Sequence, residues 1–346
     1  MSQPPFDYWE FFLAETRRSK APLYEAFTRG VTEDEDLKTL AYTVRSGQPP
    51  ANVLYAAVHY LLLRGNGHEL RRFYPNLNNG TAAPDLENAF SLFRNFVAEN
   101  REELTPILRS RVTNTNEVGR CAILHAGFQA LARRAGEPLH LIELGPSAGL
   151  NLLWDRYGIC YHKDGRSLVS GARDAPLGIE TDLIGARVPP HGRPPYVASR
   201  VGLERNPVDL SNQTERDWLR ALVWPDHAAR FAKLDQALAI ASQEVLPIRA
   251  GDALELLPDA LSDIPAHETV CVYHSFVTYQ FSEEQRSALD NLLIAASLRR
   301  PVWRLSLEGT LSGEAPLLLY AYESGIRSKR LLAQCHPHGA WLEWQD

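Results

Sequence analysis

The sequence predicts an α/β protein. Its main domain is a mostly parallel sheet with helices on both faces and a C-terminal antiparallel edge, joined to an N-terminal helical domain and carrying an inserted β-rich arm. Three observations predict this. Apolar segments of strand length alternate with helical periodicity from Leu139 onward. The chain before Arg111 shows apolar residues at three- and four-residue spacing and no convincing strand. Between positions 158 and 195 the pattern breaks into prolines and a hairpin signal. A chain of 346 residues suits one large α/β domain with an appended module.

The elements follow in order. YEAFTRGV, ANVLYAAVHYLLLRG and LENAFSLFRNFVAEN carry the helical spacing, so residues 1–111 form a helical domain or cap. Gln48-Pro49-Pro50 and the stretch from Tyr74 to Gly80 interrupt it as loops. Asn114 with Glu117 fits a capping box, opening a helix that runs from Val118 through Leu131 and stops at Gly136. Leu139 to Leu144 is a buried strand, followed by a small-residue loop and an amphipathic helix ending near Tyr157. The arm, residues 158–195, has a hairpin turn at Asp164-Gly165 and the proline-rich VPPHGRPPY, and is expected to lie outside the sheet. Strands are then expected at Tyr196 to Leu203, Val245 to Ala250, Thr269 to Tyr273 and Val302 to Leu307. Helices fit between them at Gln213 to Leu222, Ala229 to Ser242, Ala253 to Leu261 and Ser282 to Leu298. LLLYAYESG, RLLAQCH and AWLEW read as antiparallel strands closing the sheet of a domain spanning 112–346.

Composition narrows the function classes. Hydrophobic residues make up 45% and charged residues 23%, as in ordinary globular proteins. A net charge of −6 with scattered basic residues argues against a nucleic-acid partner, and Arg299-Arg300 and Arg327 to Arg330 are expected on solvated surface. No stretch approaches the roughly 18 apolar residues of a spanning helix, and MSQPPFDYWEFF lacks the features of a secretory signal. The expectation is a cytoplasmic protein with a small-molecule substrate and no membrane partner. Cys121 and Cys271 sit in apolar runs, which predicts buried thiols, and Cys335-His336-Pro337-His338 matches no common zinc spacing, so no metal is expected.

The stretch HLIELGPSAGLNLLWDRYG carries the chemistry, and its loop has two readings. Gly145-Pro146-Ser147-Ala148-Gly149 fits the G-x-S-x-G of a hydrolase nucleophile elbow. Asp252 or Asp263 followed by His274 or His336 would complete a triad in order, but the elbow expects several strands upstream and only helices precede Leu139. A nicotinamide fingerprint fails, because Ser147 and Leu150 stand where its later glycines belong.

Glu143-Leu144-Gly145 with the small residues after it resembles the first motif of S-adenosylmethionine-dependent methyltransferases. The resemblance implies that Glu143 accepts hydrogen bonds from the cofactor's methionyl ammonium. Gly145, Ser147 and Gly149 would then lie against its methionine end, although Ser147 replaces a commonly found middle glycine. It further implies that Glu204, ending VGLE, accepts the ribose hydroxyls and that Asp252, in AGDAL, accepts the adenine amine. Plainer readings stand beside these: a loop-stabilising carboxylate for Glu143, a cap for Glu204 near Asp209, and an N-cap for Asp252. Arg120, helped by Asn116, either clamps a carboxylate or makes a buried salt bridge. Tyr273 and His274 would lie beside the transferable methyl, with His274 the candidate general base or else a structural histidine.

The wider set TNTNEVGR, ELGPSAGLNLLWDRY, VGLERNPVDL, LVWPD and HPHGAWLEW is similar to an uncharacterised bacterial family, a domain of unknown function assigned a methyltransferase-like, Rossmann-like fold. That family resemblance implies the fold, while the order of the methyltransferase-like motifs implies binding of S-adenosylmethionine or S-adenosylhomocysteine and methyl transfer to a small molecule. A non-catalytic binding or interaction protein and a serine hydrolase using Ser147 are the alternatives. Trp154, Tyr157, Trp218 and Trp224 are expected in the core.

Overall fold

A computed structural model describes residues 7–78, 85–310 and 313–346, so the end of the expected 74–80 loop, Asn79 and Gly80, lies outside the described residues. The chain divides into two compact units. One takes the described residues up to Thr115 together with Ser211–Asp235, and the other takes Asn116–Leu210 with Gln236–Asp346.

The first unit is helical. It contains α1 (Tyr8–Arg18), α2 (Pro22–Val31), α3 (Glu35–Ala41), α4 (Pro50–Leu63), α5 (Ala89–Glu99) and α6 (Arg101–Ser110). Local chemistry sets the helix starts: Asp7 accepts the Trp9 N–H at 2.9 Å, Asp34 accepts the Leu37 N–H at 3.0 Å, and Pro22 and Pro50 occupy first-turn positions. α4 is apolar almost all round and runs through the core, where its Tyr55 meets Tyr24 at a tilt and Phe27 edge-on, and Phe27 stacks on Phe93. Trp218, Ala221 and Leu222 belong to this same core. The helix carrying the first two, at 213–221, was expected among the strands and instead packs with the helical unit. Its amphipathic stripe requires an apolar surface to cover but does not say which one.

In the second unit the described residues form one eleven-stranded sheet. Its strands are β1 (Leu139–Leu144), β2 (Gly158–Lys163), β3 (Arg166–Gly171), β4 (Gly178–Ile184), β5 (Val197–Glu204), β6 (Ile248–Ala250), β7 (Thr269–Ser275), β8 (Val302–Leu307), β9 (Ala315–Glu323), β10 (Ile326–Cys335) and β11 (Trp341–Trp344). The order is β3-β2-β4-β11-β10-β9-β8-β7-β1-β5-β6. The run β6-β5-β1-β7-β8 is parallel, and β9, β10 and β11 continue it antiparallel to one another. The remaining helices of the chain are α7 (Cys121–Ala135), α8 (Gln213–Ala221), which belongs to the first unit, α9 (Ala228–Ala241), α10 (Ala253–Ser262) and α11 (Glu283–Ser297). On one sheet face Leu257 of α10 and Leu289 and Leu293 of α11 pack with Ile142, Leu144, Val270 and Val272. On the other, Phe128 of α7 meets Tyr273 edge-on, with ring centroids 5.1 Å apart. Helices therefore cover both faces, as expected of a largely parallel sheet.

Three expectations are corrected. The 158–195 segment is β-rich but does not lie outside the sheet: β2 and β4 pair in parallel, and β4 pairs in parallel with β11. The reason is its own alternation, since β4 buries Ile179, Thr181 and Leu183 and β2 buries Ile159 and Tyr161, faces that need a covering layer. The segment after the GPSAG loop is not a regular helix but a seven-residue 3-10 stretch, Leu150–Arg156, kinked at Leu153. Finally, the turn before α7 is capped at Glu117, three positions after Asn114: its carboxylate accepts the Gly119 N–H at 3.1 Å. Among the described residues no helix is long and apolar enough to cross a membrane.

Candidate functional site

The parallel strands end side by side, and four of them deliver an acid at or just beyond the carboxyl end: Glu143 on β1, Glu204 on β5, Asp252 after β6 and Glu308 after β8. Between Glu143 and the 3-10 stretch, the GPSAG turn takes three left-handed residues, Gly145, Ser147 and Gly149, with φ of 64°, 57° and 78°. Its first amide is held by β5, because Gly145 N–H donates to the Leu203 carbonyl at 2.9 Å. A Cβ on Gly145 would come within 2.7 Å of a Val277 methyl, so both backbone angle and packing require glycine there.

Glu204 fastens the turn. Its two oxygens accept the backbone N–H of Ser147 at 2.8 Å and of Asn206 at 2.9 Å, and the carboxylate is buried. Each oxygen keeps a lone pair for a further donor. Asn116 supports the far side of the turn by accepting the Leu150 N–H at 2.9 Å. The structure thus brings Glu143, Gly145, Ser147, Gly149, Glu204 and Asn116 together around one loop. Asp252 stands beside them on the next strand end, since the Gly251 N–H donates to the Glu204 carbonyl at 2.9 Å. It caps α10 through the Leu254 N–H at 2.9 Å and pairs with Arg205. Burial would raise its carboxyl, but the Arg205 and Leu254 hydrogen bonds outweigh that and hold it below the ordinary range.

Glu143 is the most perturbed acid of the group. It is 1% exposed, and burial pushes its carboxyl up to about 8; Glu204 adds to the rise, while the Tyr273 hydroxyl and Arg120 oppose it. Tyr273 donates its hydroxyl to Glu143 Oε2 at 3.0 Å. Burial and the neighbouring carboxylate hold that phenol far above its usual range, so Tyr273 serves as a fixed donor near neutral pH.

Tyr273 and His274 are adjacent in β7 and therefore project to opposite faces. Tyr273 lies with Glu143 on the α7 side. His274, fully buried, places Nδ1 2.6 Å from Glu308 Oε1. The Glu308 carboxylate also accepts the N–H groups of Val277, Thr278 and Tyr279 at 3.0, 3.2 and 3.1 Å. The His274–Glu308 pair anchors the segment that follows β7, and it is separate from the Glu143–Tyr273 group.

Arg120 is buried at the start of α7, with Nε donating to the Pro337 carbonyl at 2.9 Å and Nη1 3.4 Å from both the carbonyl and the hydroxyl of Ser275. Its guanidinium stacks 4.0 Å over the Phe276 ring. Arg120 is thus tied to protein groups on two sides.

Sequence reasoning missed two partners. Glu308 carries the same signal as Glu143 and Glu204, an acid at a parallel strand's carboxyl end, in SLEG. The HPHG loop packs on the turn before α7, a contact the sequence did not indicate: Glu117 lies 3.3 Å from His338 Nδ1, and a Cβ on Gly119 would come within 2.4 Å of the His338 carbonyl. Among the described residues no three His, Cys, Asp or Glu side chains group as metal ligands. A groove lined by Trp303, Leu319, Ile326 and Arg330 lies on β8, β9 and β10 and includes none of the residues around the GPSAG turn.

Residues 10–344 match the model of a family described as uncharacterised proteins conserved in bacteria (DUF2332), and the chain belongs to that family. None of the curated proteins compared with it matches the chain.

Proposed function

We propose that this DUF2332 member binds S-adenosylmethionine or S-adenosylhomocysteine at the carboxyl ends of β1, β5 and β6 and transfers a methyl group to a small molecule. One observation carries the reading: Glu143, Glu204 and Asp252 end three adjacent parallel strands around a left-handed turn. Open α/β sheets bind ligands at strand carboxyl ends, next to the point where the strand order reverses. Here the chain builds outward from β1 to β5 and β6, then returns to place β7 and β8 on the other side. Glu143 and Tyr273 are register partners across that reversal.

The donor set suits the ligand. A carboxyl pushed up by burial gains from an ammonium group brought against it, which is what the methionyl end would supply to Glu143. The spare lone pairs of Glu204 suit ribose hydroxyls, and the partly exposed Asp252 suits an amine. When bound, S-adenosylmethionine supplies an electrophilic methyl on a sulfonium. The chain's own work is alignment: Tyr273 orients Glu143, Glu204 holds the turn, and Glu308 with His274 fixes the segment after β7. No proton transfer by His274 is part of this reading.

Calorimetric titration of the purified protein with S-adenosylhomocysteine tests it. Saturable heat is expected, with Asp252→Ala weakening affinity by roughly ten- to a hundredfold for a lost charge-assisted hydrogen bond of about 1.5–3 kcal/mol. Absence of heat with either adenosyl ligand at millimolar concentration overturns it. The left-handed φ of Ser147 favours one competitor, since a nucleophile elbow presents its serine on such a strained turn. Labelling of Ser147 by a fluorophosphonate probe, lost in Ser147→Ala, would establish the hydrolase instead.

A further inference from the structure

On one face of the sheet two strands outrun the helix that covers them. α7 packs on β8 and β9, where a Cβ on Gly127 would lie 2.8 Å from a Leu305 methyl and 3.3 Å from a Leu317 methyl. The helix ends at Ala135, while β9 and β10 are nine and ten residues long and continue beyond it. Past its last turn Trp303, Leu319, Ala321 and Ile326 floor a groove of about 410 Å³. Small-ligand sites span roughly 300–1,000 Å³. Ile326 is 72% exposed, so the apolar floor lies open to solvent. The far end is held in place by α11: in the turn joining β9 to β10, Ser324 N–H donates to the Ser297 carbonyl at 3.1 Å and Gly325 N–H to the Ser297 hydroxyl at 3.0 Å.

Opposite charges stand at the two ends of this groove. Beside α7, Arg134 and Arg330 both hold the Asp346 carboxylate, Arg330 through Nη1 at 2.8 Å. That pairing positions the Arg330 guanidinium and leaves its Nε and Nη2 for a further acceptor. At the turn, the exposed Glu323 lines the groove and pairs with no basic side chain among the described residues. Arg330 is the register partner of Leu319, four residues before Glu323, so roughly 13 Å of strand separates the two charges. Midway between them, on the same face, Ser328 adds a hydroxyl. A cationic end, an anionic end, an apolar floor and a central hydroxyl complement an extended zwitterion with apolar side chains and a polar link. A single amino acid is too short to reach both ends. An extended tripeptide spans about 10 Å, and the long arginine and glutamate side chains reach over the rest.

We propose that the groove on β8, β9 and β10 binds a short apolar peptide of about three residues. Arg330 takes its terminal carboxylate, Glu323 its terminal ammonium, Ser328 a peptide carbonyl, and Trp303, Leu319 and Ile326 its side chains. The site is independent of the adenosyl reading at the other strand ends.

The test is calorimetric titration of the whole chain with alanyl-leucyl-alanine, set against the same peptide acetylated at its amino end or amidated at its carboxyl end. Saturable heat is expected with the free peptide, and each cap should weaken binding by about tenfold or more, the loss of one charge-assisted contact. Arg330→Gln and Glu323→Gln should weaken the free peptide by a similar factor. Both side chains are exposed, so both variants should melt as wild type does. In a matched pair, Arg330→Gln should no longer distinguish the amidated peptide from the free one, which places the carboxylate on that arginine. Absence of heat with the free peptide at millimolar concentration overturns the proposal. Equal binding of free and capped peptides does so too, as does an affinity that neither variant changes.

Discussion

Replacing Glu143 by glutamine should make the fold more resistant to rising pH. The Glu143 carboxyl stands at about 8 in the folded protein, against an ordinary value of 4.5. Below the ordinary value both folded and unfolded chains hold the proton, and its contribution to stability is complete. Above it the unfolded chain releases the proton while the fold keeps it, so wild-type stability falls as pH rises toward the folded value, by about 1.4 kcal/mol per unit. Over the whole window the loss is on the order of 5 kcal/mol, reached once pH exceeds the folded value. Glutamine keeps the size and an oxygen to accept the Tyr273 hydroxyl, now 3.0 Å from Glu143, but has nothing to ionise. Urea unfolding of both proteins at about pH 5, 7 and 9 should therefore show Glu143→Gln gaining on wild type by a few kcal/mol across the series. Profiles that stay parallel would refute the argument, because they would mean that Glu143 ionises in the fold as easily as in the unfolded chain. The same linkage bears on the proposed ligand: its ammonium requires the ionised carboxylate, so affinity for S-adenosylhomocysteine should rise about tenfold per pH unit up to the folded pKa and then level.

Other perturbations follow from contacts at strand ends and loops. Gly119→Ala puts a methyl 2.4 Å from the His338 carbonyl oxygen and should lower stability by about 1–3 kcal/mol in thermal melts. Gly339→Ala should cost more, since its Cβ would lie 2.1 Å from the Gly119 carbonyl oxygen and its φ is 78°. Glu308→Gln removes the charge that serves three backbone N–H groups and His274, a loss of roughly 2–4 kcal/mol near neutral pH. Burial would raise the Glu308 carboxyl, but His274 and the backbone donors hold it below the ordinary range, so this contribution should vanish as pH falls through the folded value, seen as convergence of the two acid-unfolding curves. Tyr161→Ala should destabilise by about 3–5 kcal/mol, because that ring is fully buried and its hydroxyl donates to the Ala122 carbonyl at 2.7 Å. Deleting 158–195 should abolish the cooperative melt; a deletion variant that still melts in one sharp step would show β2 to β4 to be dispensable.

Much of the candidate site was legible because its signals are local. An acid closing an apolar strand, glycines flanking a tight turn, and an aspartate immediately before a helical apolar run each report chemistry within a few positions. Glu143, Gly145, Gly149 and Asp252 could be picked out on those grounds. Tyr273 and His274 could not be separated, although strand alternation alone puts neighbours on opposite faces, because only the packing says which face holds which partner. Glu308 and the packing of the HPHG loop were missed because the groups that give them meaning, His274 and the turn at Gly119, are distant in sequence.

What the sequence determined by itself is the set of elements: strands such as β1 and β8 within a residue of their limits, and the small-residue turn at Gly145 to Gly149 between strand and short helix. Periodicity, caps and turn residues act over a few positions, and those energies decide whether a segment coils or extends. The tertiary structure decided where each element is buried. Helix 213–221 joined the helical core, residues 158–184 extended the sheet through β11, and the expected helix after GPSAG tightened into a 3-10 stretch. An apolar face records that it must be covered and carries no address, so its partner is chosen only when all such faces compete for one another in the folded chain.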